Sequence, residues 1–346
     1  MINVCLVFGG MSEEHGISCT SASNIAENLN PEKYNVYKIG ITKDGVWKLF
    51  DGEAEKMRDG TWFDESLPSC IISPDRSHKG IIADGKLIHI DVIFPALHGK
   101  LGEDGCIQGL FELSGIPYVG CGVAASALGM DKILSKLAYA AGGLLQADWV
   151  YFEDINAVSH DDAADTVEAK FGYPVFVKPA NTGSSIGITK AHDRAELKAA
   201  FSLAATIDKK VLVEEFISGR EVECAVMGNE IPIASAVGEV LSAGEFYDFD
   251  SKYVDAESKT AIPAQLPKEI SEKVREAAVK AYTAIGAKGL SRADFFVTDD
   301  GRVLVNELNT LPGFTSISMY PKLWIHGGYS YAELLDRLIE LAKTEK

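Results

Sequence analysis

The opening of the chain constrains its fold more than any other stretch. MINVCLVFGG carries an apolar run over residues 2 to 8 and ends in a Gly-Gly turn. A helical stretch from Ser18 to Leu29 follows, stopped by Asn30 and Pro31, and VYKIGIT is a second β-rich run. Strand, helix and strand in that order make a βαβ unit, the building block of a parallel sheet. Farther on, DVIFPAL is a continuous apolar strand leading into HGKLGEDG, and CIQGLFELSGI has helical periodicity. The first third therefore predicts an open parallel sheet whose functional loops follow the strand ends.

At 346 residues the chain exceeds what one hydrophobic core serves comfortably, so two or three packed units are expected. From about Gly122 the pattern changes, and VAASALGMDKILSKLAYAAG reads as one long helix. KVLVEEFI, EVECAVMG and IASAVGEV are consecutive strands, an order that favours antiparallel pairing. SAGEFYDFDSKYVDAESKT is polar, aromatic-studded and aperiodic, which fits a functional lid. A helix from Lys268 to Ile285 precedes RADFFVTDDGRVLVNELN, two strands around a DDG turn, and YSYAELLDRLIELAK is a closing helix.

The net charge of -17 argues against nucleic acid and acidic membrane surfaces as partners, because a phosphate backbone needs a basic face. Any bound anion must be held by local donors. The apolar N-terminal run is shorter than a signal peptide or membrane span and lacks a basic flank, so a cytoplasmic protein is expected. Cys5, Cys19, Cys70, Cys106, Cys121 and Cys224 form no CxxC pair and are each expected as small core residues in a reducing compartment. The seven histidines carry no zinc-type spacing.

VFVKPANTGSSIGITK, Val175 to Lys190, is rich in phosphate-binding residue types but is not a Walker loop, which has its lysine after the glycines and a helix beyond. Here Lys178 comes first, and ITKA after Gly187 reads as a strand. The segment predicts a flap between antiparallel strands, with Gly183 and Gly187 allowing close backbone approach and Ser184 and Ser185 supplying donors. A glycine-rich hairpin with no ligand is the plain alternative. Other segments tip the balance. EEFISGREVE sets acids around a strand end, and SRADFF with NELNTLPG puts Arg292, Asp294, Glu307 and Asn309 on facing strands of one hairpin. Two carboxylates and an amide suit Mg²⁺ that also binds nucleotide phosphates.

Together these segments resemble the ATP-grasp enzymes. With FGGMSEEHGIS, ALHGKLGEDG, MDK and FYDFDSKY added, in family order over nearly the whole chain, the sequence resembles the D-alanine-D-alanine ligase family. The resemblance implies an α/β fold, α+β in its C-terminal part: an N-terminal Rossmann-like open-sheet domain (1-121) and central (122-212) and C-terminal (213-346) ATP-grasp subdomains. It implies ATP and two molecules of D-alanine as substrates, two Mg²⁺ ions with Mn²⁺ as a substitute, and a homodimer. Activation by a monovalent cation stays open. The implied product is D-alanyl-D-alanine for peptidoglycan synthesis, formed through a D-alanyl phosphate.

By the same resemblance, Lys132 and Lys178 bind ATP phosphates and Lys252 lies near the γ-phosphate. Ser184 and Ser185 belong to the ATP flap, and Glu214, Glu215, Ile217 and Glu221 to the nucleoside site. Asp294, Glu307 and Asn309 match magnesium ligands, with a structural ion-pair group around Arg292 as the alternative. Arg292 and the Gly313 amide match stabilisers of the tetrahedral intermediate. Glu14 matches the acid that receives the first ammonium group, and Glu14, Ser184 and Tyr253 match a hydrogen-bonded set joining loop, flap and lid. His98 falls near the first substrate, Ser318 near the second carboxylate.

The chain departs from the common family pattern at Ile317, where histidine is usual. Met319 offers an apolar wall suited to a methyl group, whereas some D-serine-adding relatives carry arginine there. The SKY lid disfavours a depsipeptide ligase. A D-alanine-D-serine ligase is the alternative enzyme, and a non-catalytic ATP-binding regulator of the same fold the alternative of another class.

Overall fold

The computed structural model describes residues 1-241 and 259-344. Lys252, Tyr253 and nearly all of the expected lid lie outside the described residues.

The chain opens with strand β1 (Ile2–Gly9), helix α1 (His15–Asn28) and strand β2 (Tyr34–Ile41), with β1 and β2 parallel as expected. Strand β3 (Trp47–Phe50) adds an antiparallel edge to β2. After helix α2 (Ala54–Arg58), strands β4 (Cys70–Ile72), β5 (Gly80–Ala83) and β6 (Lys86–His89) form a small antiparallel sheet that the sequence reading leaves undescribed. Strand β7 (Val92–Pro95) returns to pair parallel with β1, giving the order β3-β2-β1-β7. β1 is central, which is why its apolar run is nearly continuous rather than alternating. Buried Ser18 of α1 takes the Gly9 amide at 2.7 Å and donates to the Ala96 carbonyl at 2.5 Å, tying together the ends of β1 and β7. The loops carrying Glu14 and His98 start there.

Helix α3 (Cys106–Ser114) follows, and the expected long helix is instead two, α4 (Val123–Met130) and α5 (Lys132–Ala141). Asp131 breaks them. It is extended, at φ -83° and ψ 105°, and its carboxylate accepts from the Ile133 and Leu134 amides at 3.0 Å as an N-cap. Lys210 holds its other oxygen at 2.8 Å.

Strand β8 (Trp149–Phe152), helix α6 (His160–Glu168), strands β9 (Val175–Pro179) and β10 (Thr189–Ala191), helix α7 (Arg194–Ala205) and strand β11 (Val211–Glu215) build an antiparallel sheet of order β10-β9-β11-β8. Val175, Val177, Val211 and Val213 pack under α6 and α7 as one cluster. The two-residue period of a strand then points Phe176, Lys178, Leu212 and Glu214 the other way.

Strands β12 (Arg220–Gly228), β13 (Ile233–Leu241), β14 (Lys259–Ala261), helix α8 (Lys268–Ala284), and strands β15 (Gly289–Val297) and β16 (Val303–Asn309) give the order β14-β13-β12-β15-β16. The expected antiparallel pairing holds for β12 and β13, whereas β11 belongs to the other sheet. Val222, Cys224, Ala293, Phe295 and Leu308 bury against α8, so Glu221, Glu223, Arg292, Asp294, Glu307 and Asn309 fall on the opposite face. Helices α9 (Met319–His326) and α10 (Tyr331–Thr344) close the fold, and their core is continuous with that of β1 and α1. Of the cysteines, Cys106 departs from the expected burial; it is exposed at the start of α3.

Candidate active site

The polar faces of the last two sheets look at each other across a cavity of about 520 Å³. Every site residue predicted from the sequence and lying among the described residues lines it.

One wall comes from β9, β11 and α5. Lys178 on β9 reaches the Glu214 carboxylate on β11, and Lys136 on α5 reaches its other oxygen. Glu214 and Lys136 are buried, with 5% and 3% side-chain exposure, and Lys178 is largely buried at 12%. Burial pushes the Glu214 pKa up, but the charges and hydrogen bonds of the two lysines outweigh it and hold the carboxyl below its usual range. Burial dominates for Lys136 and lowers its pKa despite Glu214. Glu214 is therefore a shared ion-pair partner, not an exposed strand-end acid. Glu215 turns aside and accepts from the Asp148 amide at 2.8 Å. Lys132 begins α5, one turn from Lys136, and donates to the Thr182 carbonyl in the flap.

The flap spans β9 and β10, as its lysine-first order predicts. Ser184 and Ser185 both have positive φ, 48° and 60°, a costly state for residues with a Cβ. Ser184 Oγ donates to Glu14 Oε1. At the flap root, the Asn181 amide and side chain donate to Asp208 at 3.1 and 2.8 Å. Glu14 is buried and its other oxygen sits where no side chain fits: a Cβ on Gly99 would come within 2.6 Å of Oε2 and one on Gly183 within 3.0 Å.

The opposite wall is the β15-β16 hairpin, with Arg292 opposite Asn309 and Asp294 opposite Glu307. Arg292 grips Asp294 with two hydrogen bonds of 2.8 and 2.7 Å, and Glu223 lies 3.2 Å from its Nε. Burial opposes the charge, but Asp294 and Glu223 keep the guanidinium fully ionised. The ion-pair group weighed as an alternative for these residues is thus present, on the same face as the metal-type donors. A bulge sits beside them: β16 fits one more residue than β15 between Asp294 and Phe295. It brings Asn306 to the cavity beside Glu307, with Asn306 Oδ1 3.4 Å from Lys178 Nζ. Among the described residues no group of three or more His, Cys, Asp or Glu could hold a metal by itself. Two carboxylates and an amide on one face form an incomplete shell, the kind Mg²⁺ completes with phosphate oxygens and water.

His98 is buried between α1 and the loop after β16, with Ser21 Oγ and the Leu311 carbonyl each 3.2 Å from its ring nitrogens and Glu103 at 3.6 Å. Burial alone would lower its pKa, but the Glu103 hydrogen bond and the Glu103 and Glu14 charges raise it overall. Ser318 Oγ accepts from the Thr315 amide at 3.0 Å, and a Cβ on Gly313 would come within 2.7 Å of it. Ile317 is 54% exposed at the cavity edge, and Met319 is 5% exposed, packed on the core with its sulfur near Gly238. Sequence reasoning missed Lys136, Glu103, Glu223 and Asn306. HGKLGEDG already contains Glu103 and EEFISGREVE contains Glu223, so those two were within quoted motifs.

Comparison with known proteins agrees along the length of the chain. Family profiles described as D-ala D-ala ligase N-terminus and C-terminus match residues 3-121 and 138-340. The chain is 51% identical to the D-alanine-D-alanine ligase of Acetivibrio thermocellus, over 98% of this chain and 95% of that one. It is 50% identical to the same-named protein of Ruminiclostridium cellulolyticum, over 98% and 94%. Among solved structures it is similar to the VanG D-Ala:D-Ser ligase from Enterococcus faecalis, 42% identical with TM-score 0.91 over 99% of both chains. The D-alanine-D-alanine ligase from Coxiella burnetii is 34% identical, with TM-score 0.87 over 100% of this chain and 96% of that one.

Proposed function

Because the chain belongs to the D-alanine-D-alanine ligase family, we propose that it joins two D-alanines into D-alanyl-D-alanine at the expense of ATP, for peptidoglycan synthesis. The observation that carries this reading is the convergence of the predicted residues on one cavity, cationic on the β9 side and carboxylate-bearing on the β15-β16 side.

Lys132 and Lys178 hold the ATP phosphates, with Ser184 and Ser185 of the flap above them. Glu214, Glu215, Ile217 and Glu221 line the nucleoside end, Glu214 acting through its lysines and Glu215 through its strand-end position. Asp294, Glu307 and Asn309 would hold Mg²⁺, which when bound would supply neutralisation of the phosphate charge. Glu14 receives the ammonium of the first D-alanine, with His98 beside it. A carboxylate oxygen of that D-alanine attacks the γ-phosphorus, and the bond to the β-phosphate oxygen breaks to release ADP. The amine of the second D-alanine then attacks the acyl carbonyl, and Arg292 with the Gly313 amide steadies the oxyanion that forms. Collapse expels inorganic phosphate, carrying one oxygen of the original carboxylate, and the amine proton is released. Ser318 addresses the second carboxylate and Met319 the second side chain.

We place the enzyme in the cytoplasm as a homodimer. No helix among the described residues is long and apolar enough to cross a membrane. We divide the chain at 121 and 212, the second cut falling within β11, whose Val211 and Val213 both belong to the core under α6 and α7. D-alanine labelled with ¹⁸O in its carboxylate tests the acyl phosphate: label must appear in the released phosphate, and unlabelled phosphate would refute that intermediate.

A second reading, D-serine as the second substrate, is favoured by the similarity to the VanG ligase. Met319 weighs against it, since an apolar buried wall leaves a serine hydroxyl unpaired. Competing D-alanine and D-serine and identifying the dipeptide decides between them.

A further inference from the structure

Lys136 has no assigned role in the reaction, yet its environment is unusual for a lysine. It lies on α5, which buries Ile133, Ser135, Lys136 and Tyr139, so the ammonium enters the molecule along the helix's packed face. Its charged end meets Glu214 Oε1, while Lys178 meets Oε2 of the same carboxylate. One buried and one largely buried ammonium group thus share one carboxylate. Glu215, the next acid along β11, has its carboxylate engaged with the Asp148 amide. Lys178's further partner, Asn306 Oδ1 at 3.4 Å, is neutral.

This arithmetic matters for a phosphate site. A lone Lys178-Glu214 pair would be neutral, and phosphate would have to compete with a buried carboxylate for the ammonium. Adding Lys136 gives the trio one net positive charge in a low-dielectric wall, where charge acts strongly. We propose that Lys136 is a positioning residue for ATP: by taking half of Glu214, it frees Lys178 to turn its charge to the phosphates. The inference rests on the ATP-binding reading of this cavity. Lys136 lines the cavity at its buried edge, with only 3% of its side chain exposed, and its ammonium is spent on Glu214.

The test compares Lys136→Met, Lys136→Arg and Glu214→Gln, measuring ATP binding by calorimetry in the presence of Mg²⁺ and steady-state kinetics with D-alanine. Lys136→Met should bind ATP about tenfold more weakly and raise KM for ATP more than it lowers kcat. Lys136→Arg should restore most of the affinity. In the Glu214→Gln background, Lys136→Met should cost little more, because the neutralising carboxylate is already gone. A purely structural lysine would instead lower Tm and leave the folded protein's ATP affinity intact, which overturns the proposal. So does an equal loss in both backgrounds. Should Lys136→Met not fold, Lys136→Gln against Lys136→Arg makes the same comparison, and equal ATP affinity in that pair overturns it. Wild-type protein that binds no ATP would refute the cavity reading itself, and this inference with it.

Discussion

Ser184, at the tip of the flap, hydrogen-bonds Glu14, which precedes it by 170 residues and stands just before the first helix of the chain. The contact closes the nucleotide cover onto the acid proposed to receive the first substrate. Removing it by Ser184→Ala takes a charge-assisted hydrogen bond from the closed state, worth roughly 1.5–3 kcal/mol. The expected effect is a drop of about ten- to hundredfold in kcat/KM for D-alanine, read from D-alanine-dependent ADP release. Activity equal to wild type would mean that flap closure does not depend on this contact.

Gly99 is the position least able to carry a side chain beside Glu14. Its φ is +68°, and a Cβ would meet Glu14 Oε2 at 2.6 Å. Gly99→Ala should displace the carboxylate and raise KM for the first D-alanine while ATP binding by calorimetry stays at the wild-type level. Parallel losses of both would point to general misfolding.

Asp131 links a fold element to the site. As N-cap of α5 it fixes the helix that begins with Lys132 and carries Lys136. Asp131→Ala should cost about 1–2 kcal/mol in denaturant unfolding and raise KM for ATP. A stability loss with unchanged KM would separate the cap from the lysines.

His98 sets a pH dependence whose sign follows from its partners. Its pKa is raised from 6.5 because Glu103 and Glu14 favour the charged ring despite its burial. The folded state therefore binds the proton more tightly than the unfolded state. That stability is fully present below pH 6.5 and is lost as pH rises through the elevated folded value. Tm of the wild type should fall relative to His98→Gln as pH is raised above that point; parallel Tm curves would contradict the assignment.

Met319→Arg should shift the ratio of kcat/KM toward D-serine over D-alanine as second substrate. Because Met319 is buried against Gly238, part of the effect will be a loss of stability. Thermal unfolding measured beside the product ratio separates the two. An unchanged ratio would remove Met319 from the second pocket.

Much of this site is legible in the sequence because strands report their faces. The alternation in VFVKP and VLVEE puts valines under α6 and α7 and sends Lys178 and Glu214 to the cavity. RADFF does the same for Arg292 and Asp294. The break at Asp131 is hidden, since aspartate fits a helix surface as readily as a cap, and only Lys210 and the local turn decide. Lys136 is hidden for a related reason. A lysine in an amphipathic helix ordinarily faces water, and its burial depends on β11 lying against α5. The Asn306 bulge leaves no mark in VLVNELN, because an extra residue in a strand is a property of the pairing.

The most direct measurement supplies the protein with ATP, Mg²⁺ and D-alanine and follows ADP and dipeptide together. ADP release that depends on D-alanine, with one D-alanyl-D-alanine formed for each ADP, is the predicted result. ADP release that ignores D-alanine, or ATP binding with no dipeptide formed, would contradict the ligase account.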